Sequence, residues 1–269
     1  MNSDLSQILN NNVLEKLRAN QVVSSMTVKL VSGIEIAQIA KTAGFDSLYI
    51  DLEHSSFSLE TTGQICMAAM AIGIAALVRV PDNSAQWISR VLDGGALGVI
   101  APHVQNKEQA QAVVACAKFP PFGERSSAGV MPHLQYRSFP PDQAYPVLNA
   151  NTMVVVQFEN QAALDHADDI MSTPGVDMVM IGSNDLLADM GLAGQYDHIK
   201  LKDAYAHTIA VCQKHGKFCG VGGLSSRPDL VAQFVQMGAR YVSTGTDLAF
   251  LLSAATEKAK QVSGLKLAV

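Results

Sequence analysis

Short apolar runs alternate with longer amphipathic stretches along most of the chain. The apolar runs are rich in Val, Ile and Leu, and because they are continuous rather than alternating they favour a parallel sheet that is buried on both faces. Eight such runs are predicted as strands, at residues 22–28, 47–51, 75–80, 97–101, 153–158, 177–181, 218–221 and 241–243.

The stretches between the strands carry apolar residues at helical spacing, with start or stop signals such as Ser58 and Gly238. The predicted helices cover residues 34–42, 59–71, 85–92, 107–118, 161–171, 201–214, 228–236 and 247–262. Eight strands, each followed by a helix, predict an α/β protein of one domain, a closed (β/α)8 TIM barrel over residues 1–269. An open doubly wound sheet is the alternative, but no G-x-G-x-x-G follows the first strand to support its dinucleotide-binding form.

One segment, residues 119–151, interrupts this alternation. It holds six of the ten prolines of the chain, several aromatic residues and few helix-length patterns. We therefore predict an irregular insertion after the fourth strand and its helix, of the kind that often lines a site or contacts a partner.

The composition narrows the functional classes. Hydrophobic residues make up 48% and charged residues 16% of the chain, which suits a globular protein with a large core. The formal net charge is −5 and the basic residues are scattered, so we expect no nucleic-acid partner. No apolar run is long enough to span a membrane, and residues 1–20 read as a polar surface helix without a signal-peptide core. The four cysteines form no C-x-x-C pair, so a reducing cytoplasm is the expected location.

Ionisable side chains stand at the predicted carboxyl ends of several strands. In a (β/α)8 barrel these ends surround one mouth, where catalytic groups lie. The candidates are Asp51, Glu53, His54, Arg79, Glu159, Asn184 and Asp185, with His103 as a weaker one.

Glu159 and Asp185 follow neighbouring strands of the predicted barrel. Each has a structural interpretation, because an acidic residue at a helix start is favoured by the helix dipole and Asp185, with Ser183 and Asn184, could cap the following helix. Together the two carboxylates can supply the one or two protein oxygens that Mg²⁺ or Mn²⁺ takes, which leaves positions for a chelating substrate.

Arg79 and His54 are the other two candidates with a chemical rationale. A guanidinium in an apolar strand needs an anion beside it, either a structural carboxylate or a substrate. His54 follows Asp51 and Glu53, which could orient its imidazole, although a histidine in a loop is more often only solvated. No nucleophile motif occurs, and Lys29 has no evident partner for a Schiff base, so a metal ion is the favoured electron sink.

Six stretches fall on these strand ends in a fixed order: AGFDSLYIDLEH, ALVRVPDN, APHVQNKEQA, VVVQFEN, PGVDMVMIGSNDLLADMG and GARYVSTGTD. They resemble the HpcH/HpaI family of class II pyruvate aldolases over residues 28–247. The resemblance implies a TIM barrel of the phosphoenolpyruvate/pyruvate superfamily. It also implies a homo-oligomer, usually a hexamer built as a trimer of dimers, in which the last helix is exchanged between subunits.

The resemblance also implies a site and a reaction. A divalent metal ion, Mg²⁺ or Mn²⁺ with Co²⁺ or Zn²⁺ as alternatives, would be held by Glu159 and Asp185. A 4-hydroxy-2-oxo acid would be cleaved reversibly to pyruvate and an aldehyde through a metal-bound enolate. The implied catalytic residues are His54, Arg79 and Asp51, and the implied substrate-binding residues are Arg79, Gln157, Ser183, Asn184 and Asp185.

Alternatives remain open at this point. An oxaloacetate decarboxylase or a macrophomate synthase-like enzyme would use the same enolate. A non-catalytic barrel would bind neither metal nor pyruvate, and the joint presence of the strand-end groups argues against it. A coenzyme A-dependent lyase would need a basic surface for the nucleotide, which the scattered charges do not indicate.

Two stretches depart from the family pattern. These aldolases commonly have Asn-Asp-Pro after the arginine strand, with the aspartate beside the histidine, whereas this chain reads NSA at residues 83–85. Asp82 is therefore the candidate partner of His54. The usual Arg-Gly-x-Gly after the fourth strand reads RSSA at residues 125–128, which predicts a reshaped loop at the substrate mouth.

Overall fold

Eight parallel strands form a closed barrel, in which each strand pairs with its neighbours in chain order and the last pairs with the first. The computed structural model describes residues 5–265, so the start of the predicted N-terminal helix lies outside the described residues. The strands are β1 (Val23–Val28), β2 (Ser47–Asp51), β3 (Ala75–Arg79), β4 (Gly98–Ala101), β5 (Met153–Phe158), β6 (Met178–Gly182), β7 (Phe218–Gly222) and β8 (Tyr241–Thr246). The predicted TIM barrel is confirmed.

Helices cover the outside of the barrel. They are α1 (Leu5–Ile8), α2 (Asn12–Arg18), α3 (Glu35–Ala43), α4 (Leu59–Ala71), α5 (Ala85–Asp93), α6 (Lys107–Ala117), α7 (Pro141–Asn151), α8 (Gln161–Asp165), α9 (Ala167–Met171), α10 (Ser183–Asp189), α11 (Ile199–Lys214), α12 (Pro228–Met237) and α13 (Asp247–Ser263). The single helix predicted at residues 161–171 is two helices that meet at His166. None of the described helices is long and apolar enough to cross a membrane.

The core has two layers, as alternation along a barrel strand requires. Residues such as Val28, Ile50 and Val156 face outward and pack under the helices. Residues such as Val23 and Leu77 fill the barrel interior near the amino ends of the strands. The interior is therefore packed toward the amino ends of the strands, and a pocket opens at their carboxyl ends.

The N-terminal helical segment covers the end of the barrel at which the strands begin. Val13, Leu14 and Leu17 of α2 are buried in the interior cluster, so the prediction of a polar surface helix is wrong for this part. Asn11 fixes the segment, since its side-chain oxygen accepts the N–H groups of Val13 and Leu14 while its amide nitrogen donates to Leu97 O at 3.1 Å. The sequence did not indicate that this segment is buried, because polar residues are interspersed among its apolar ones.

The proline-rich segment 119–151 is more regular than the sequence pattern indicates. It contains a 3-10 turn, Pro132–Leu134, and the helix α7, in which Pro141 occupies the first turn. Lys118 Nζ donates to Asn149 O at 2.8 Å and ties the two ends of the segment together. In the RSSA stretch, Arg125 is buried and donates to Asp93 Oδ1 at 2.7 Å, at the end of α5 that leads into the amino end of β4. Arg125 therefore lies at the end of this barrel opposite the carboxyl ends of the strands, and not at the substrate mouth as predicted.

Candidate active site

A pocket of about 730 Å³, its open mouth included, lies at the carboxyl ends of the strands. It is the position at which a TIM barrel places catalytic groups. Seven of the residues predicted from the sequence line it: Asp51, His54, Arg79, Gln157, Ser183, Asn184 and Asp185. Glu159 lies directly beside this wall, because Gln157 Nε2 donates to Glu159 Oε1 at 2.6 Å.

Arg79 is held by a carboxylate on each side. Its Nε and Nη2 donate to Asp51 at 3.0 and 2.7 Å, and its Nη1 lies 2.7 Å from Glu53 Oε2. The guanidinium also lies over the ring of Tyr49, 5.6 Å from its centroid. Burial acts to lower the pKa of Arg79, but Tyr49, Asp51 and Glu53 outweigh it and the pKa is raised. Arg79 is therefore a fixed positive charge in the pocket wall.

Asp51 joins this arginine to the loop that carries His54. Its Oδ1 accepts the backbone N–H groups of Glu53 and His54, both at 3.1 Å. Burial raises the pKa of Asp51, but the hydrogen bonds and charge of Arg79 outweigh burial, so the pKa lies below its ordinary value. The carboxylate thus remains charged and orients both the guanidinium and the loop.

Glu159 is a buried carboxylate at the end of β5, with only 3% of its surface exposed. Its Oε2 accepts the backbone N–H of His103 at 2.9 Å and lies 3.0 Å from His103 Nδ1. Burial raises the pKa of Glu159; His103 opposes this, while the charges of Glu53 and Asp185 raise the pKa further. The site therefore concentrates negative charge that a cation would neutralise.

Asp185 lies in the first turn of α10, directly after β6. It is exposed to the pocket, and within residues 5–265 its side chain makes no hydrogen bond and no ion pair. Its two predicted companions are engaged in part: Ser183 Oγ lies 2.9 Å from Tyr205 OH, and Asn184 Oδ1 accepts from Tyr196 OH at 2.8 Å. Asp185 thus offers its carboxylate oxygens to a ligand.

The backbone between these two carboxylates leaves room for their side chains. A Cβ atom built on Gly182 would lie 2.9 Å from Glu159 Cγ and 3.2 Å from Gln157 Nε2. Residues 5–265 contain no cluster of three or more His, Cys, Asp or Glu side chains arranged as metal ligands. A pair of carboxylates fits Mg²⁺ or Mn²⁺, which typically take one or two from the protein and complete their coordination with water and substrate.

His54 and its predicted partner do not meet in the structure. The His54 side chain lines the pocket, and its Nε2 lies 3.8 Å from Glu53 Oε2. Asp82 is exposed in the loop before α5, where its Oδ1 accepts the N–H of Ser84 at 2.8 Å. Glu53, rather than Asp82, is the carboxylate next to His54.

Sequence reasoning undervalued two residues of the site. His103 Nε2 lies 2.9 Å from Glu53 Oε1 while its Nδ1 faces Glu159, so the imidazole bridges two strand-end carboxylates. Its backbone has φ +57°, and no sequence pattern indicates this conformation in a histidine. Lys29 lines the pocket from the end of β1, opposite β5 in the barrel order, although its place after the first strand was the only sequence signal.

Comparison with known proteins identifies the family to which this arrangement belongs. The family model HpcH/HpaI aldolase/citrate lyase matches residues 31–254. The chain is 36% identical to a 4-hydroxy-4-methyl-2-oxoglutarate aldolase from Hapsidospora irregularis over 95% of its length and 96% of the relative. The chain belongs to the HpcH/HpaI aldolase/citrate lyase family.

Other members of the HpcH/HpaI family agree in sequence and in fold. A 5-keto-4-deoxy-D-glucarate aldolase from Salmonella arizonae is 33% identical, with 90% of this chain and 92% of the relative covered. The crystal structure of an HpcH/HpaI aldolase from Desulfitobacterium hafniense superposes with a TM-score of 0.89 at 27% identity, covering 96% of this chain and 98% of that one. This protein is therefore a lyase of a divalent-metal-dependent aldolase family that acts on small 2-oxo acids.

Proposed function

We propose that this protein reversibly cleaves the C3–C4 bond of a 4-hydroxy-2-oxo acid, releases pyruvate, and depends on Mg²⁺ or Mn²⁺ held by Glu159 and Asp185. The observation that carries the proposal is the pair of carboxylates at the ends of β5 and β6, one buried with a raised pKa and one open to the pocket, beside the fixed charge of Arg79. The ion, when bound, supplies a positive charge that stabilises the negative charge developing on the oxygens of the 2-oxo acid.

Arg79 has the geometry to stabilise that developing charge. Its guanidinium is oriented by Asp51 and Glu53 before substrate arrives, so little reorganisation is needed when an enolate oxygen forms. Tyr49 supports Gln157 beside it, because the Tyr49 OH donates to Gln157 Oε1 at 3.1 Å. Gln157 in turn donates to Glu159, which fixes the direction of that carboxylate.

His54 is the proposed base. It would take the proton from the C4 hydroxyl as the C3–C4 bond breaks, directly or through a water molecule, and a proton returned to C3 would convert the enolate to pyruvate. Its backbone is anchored by Asp51, its side chain is 58% exposed at the pocket mouth, and Glu53 lies near its Nε2. In the reverse direction the same imidazole would return the proton to the new hydroxyl group.

The nature of the second product follows from the substrate. The relative from Hapsidospora irregularis is named for 4-hydroxy-4-methyl-2-oxoglutarate. Cleavage of the C3–C4 bond of that compound would give two molecules of pyruvate. The second carbonyl product proposed for this protein is therefore a ketone as well as an aldehyde. We include this 2-oxo acid among the substrates proposed here.

A cleavage assay tests the proposal. Purified protein is supplied with 4-hydroxy-4-methyl-2-oxoglutarate and Mg²⁺ or Mn²⁺, and pyruvate release is followed; oxaloacetate is supplied in parallel to measure decarboxylation. We expect cleavage that a chelator abolishes and that D185N reduces about a thousandfold, equivalent to several kcal/mol of charge stabilisation. D203N, on the exposed face of α11, is the matched control. Cleavage that survives both the chelator and D185N would refute the proposed role of the carboxylates.

We also propose that the protein is a homo-oligomer, a hexamer built as a trimer of dimers, in which α13 is exchanged between subunits. Only Asp247 of α13 is buried, whereas Phe250, Leu251 and Leu252 are 42%, 58% and 64% exposed. The adjacent surface around α3 exposes Ile34 and Ile39. An apolar helix and an uncovered apolar surface are what an exchanged helix would leave on an isolated chain.

A cytoplasmic location is proposed as well. It is supported by the free thiols Cys66, Cys212 and Cys219, which are buried, and by Cys116, which is half-buried. Unpaired cysteines are typical of a reducing compartment.

A further inference from the structure

Lys29 places a cationic side chain in the wall of the pocket. It lines the pocket at the end of β1 and is half-buried. Among residues 5–265 its ammonium group makes no hydrogen bond and no ion pair. A lysine that lines a binding pocket without a counter-ion is a candidate for binding an anionic ligand.

The strand directs Lys29 into the barrel. Alternate residues of β1 face the interior: Ser25 bonds to Tyr241 OH at 2.8 Å, and Thr27 Oγ1 lies 3.0 Å from Ser243 Oγ. Lys29 follows in the same alternation, so its side chain leaves the backbone on the pocket side.

The backbone of Lys29 is fixed by Asp247. This buried carboxylate accepts the N–H groups of Lys29, Leu30 and Val31 at 3.2, 3.0 and 2.8 Å. The negative charge of Asp247 is thus stabilised by backbone N–H donors of the loop between β1 and α3. Asp247 positions Lys29 rather than neutralising its ammonium group.

The other charged groups of the site already have a partner or a proposed ligand. Arg79 is paired with both Asp51 and Glu53, and the carboxylates of Glu159 and Asp185 are the proposed cation ligands. In the proposed function those groups bind the 2-oxo and C1 carboxylate end of the substrate, and the two carboxylates follow β5 and β6. Lys29 lies across the barrel from that pair, on β1. It is placed to meet the far end of a substrate that extends across the pocket.

We propose that Lys29 is a specificity-determining residue that binds a second carboxylate, at C5 of the substrate, so that the enzyme prefers 4-hydroxy-2-oxo dicarboxylic acids to monocarboxylic ones. The inference rests on the proposed function and assigns its substrate class. Lys29 takes no part in proton transfer, and its contribution is a charge-assisted hydrogen bond to the substrate.

Binding and cleavage by matched ligands test this inference. Calorimetry with Mn²⁺ present compares 2-oxoglutarate with 2-oxopentanoate, in which a methyl group replaces the C5 carboxylate. Kinetics compare 4-hydroxy-2-oxoglutarate with 4-hydroxy-2-oxopentanoate in the same way. The variants are K29M, which keeps the length of the side chain without its charge, and K29R, which keeps the charge. K41M, on the exposed surface of α3, is the control for net charge.

We expect K29M to weaken 2-oxoglutarate binding and to lower kcat/KM for the dicarboxylic substrate about ten- to a hundredfold, the range for a hydrogen bond to a charged group. The monocarboxylic ligands should change less than about twofold, and K29R should recover most of the loss. An equal loss for both ligand classes, or none for the dicarboxylic one, would overturn the inference while the aldolase proposal stands. A wild-type protein that binds and cleaves none of the four compounds would overturn both.

Discussion

At the scale of single residues, Asp51 links the stability of the site to its electrostatics. It is buried, accepts two hydrogen bonds from Arg79 and caps the loop that bears His54. Because its pKa is lowered in the folded protein, its contribution to stability is present above the unfolded-state pKa, about 3.9. That contribution is lost as the pH falls through the lower folded-state pKa.

We predict that D51N destabilises the protein by about 3 kcal/mol at pH 6, since it removes one partner of a buried ion pair. The difference from the wild type should shrink as the pH falls below about 4, because Asp51 of the unfolded chain takes up a proton before Asp51 of the folded protein does. Urea unfolding at pH 6 and in acid measures both values. D203N is the surface control, and a difference that is equally large at both pH values would contradict the assigned role.

The residues that could be predicted from sequence are those whose place follows from strand position alone. Glu159 and Asp185 come directly after apolar runs, and Arg79 stands inside one, so the barrel pattern brings them together. His103 bridges Glu53 and Glu159 through a left-handed backbone conformation that depends on tertiary contacts. The predicted pairing of His54 with Asp82 failed for a similar reason, because the spacing of residues along the chain does not determine the direction of a side chain in a loop.

At the scale of elements, strand bounds were predicted within one residue except for β8, which continues to Thr246. Its last residues include Thr244 and Gly245, which break the apolar run that marks the other strands. The helical break at His166 and the helix α7 were not predicted. In both segments the apolar residues fit more than one secondary-structure pattern, and packing against the barrel determines which one forms.

The end of β6 gives an element-scale prediction. A side chain at Gly182 would enter the space used by Glu159 and Gln157, so G182A should displace the carboxylate. Gly182 has φ −84°, so the backbone itself accepts alanine without strain. We expect Mn²⁺ affinity to fall about tenfold, as for substitutions that disturb the groups supporting a metal ligand. Calorimetric titration measures this, with G264A at the end of α13 as control; unchanged affinity in G182A would argue against Glu159 as a ligand.

At the scale of the whole molecule, α13 leaves the barrel with its apolar residues exposed. Leu251 and Leu252 are the most exposed of these residues near its start. An interface between subunits would bury them.

We predict that the double variant L251D/L252D converts the oligomer to smaller species, because two carboxylates would be buried without partners in the interface. Light scattering after size exclusion measures the mass at several protein concentrations. The control is S253D/T256D, which adds the same two charges on the side of the helix that faces away from Leu251. A wild-type monomer, or an oligomer that withstands the leucine changes, would contradict the proposed exchange of α13.

The central claim is that Glu159 and Asp185 would hold a divalent cation, whose charge would favour loss of a methyl proton from pyruvate. Exchange of that proton in D₂O measures the claim most directly. The protein is incubated with pyruvate and Mg²⁺ or Mn²⁺, and the methyl signal is followed by proton NMR. We predict exchange that a chelator stops and that added metal restores, background exchange in folded E159Q and D185N, and slowed exchange with retained metal in R79K. Exchange that persists with chelator and in both carboxylate variants would contradict the account.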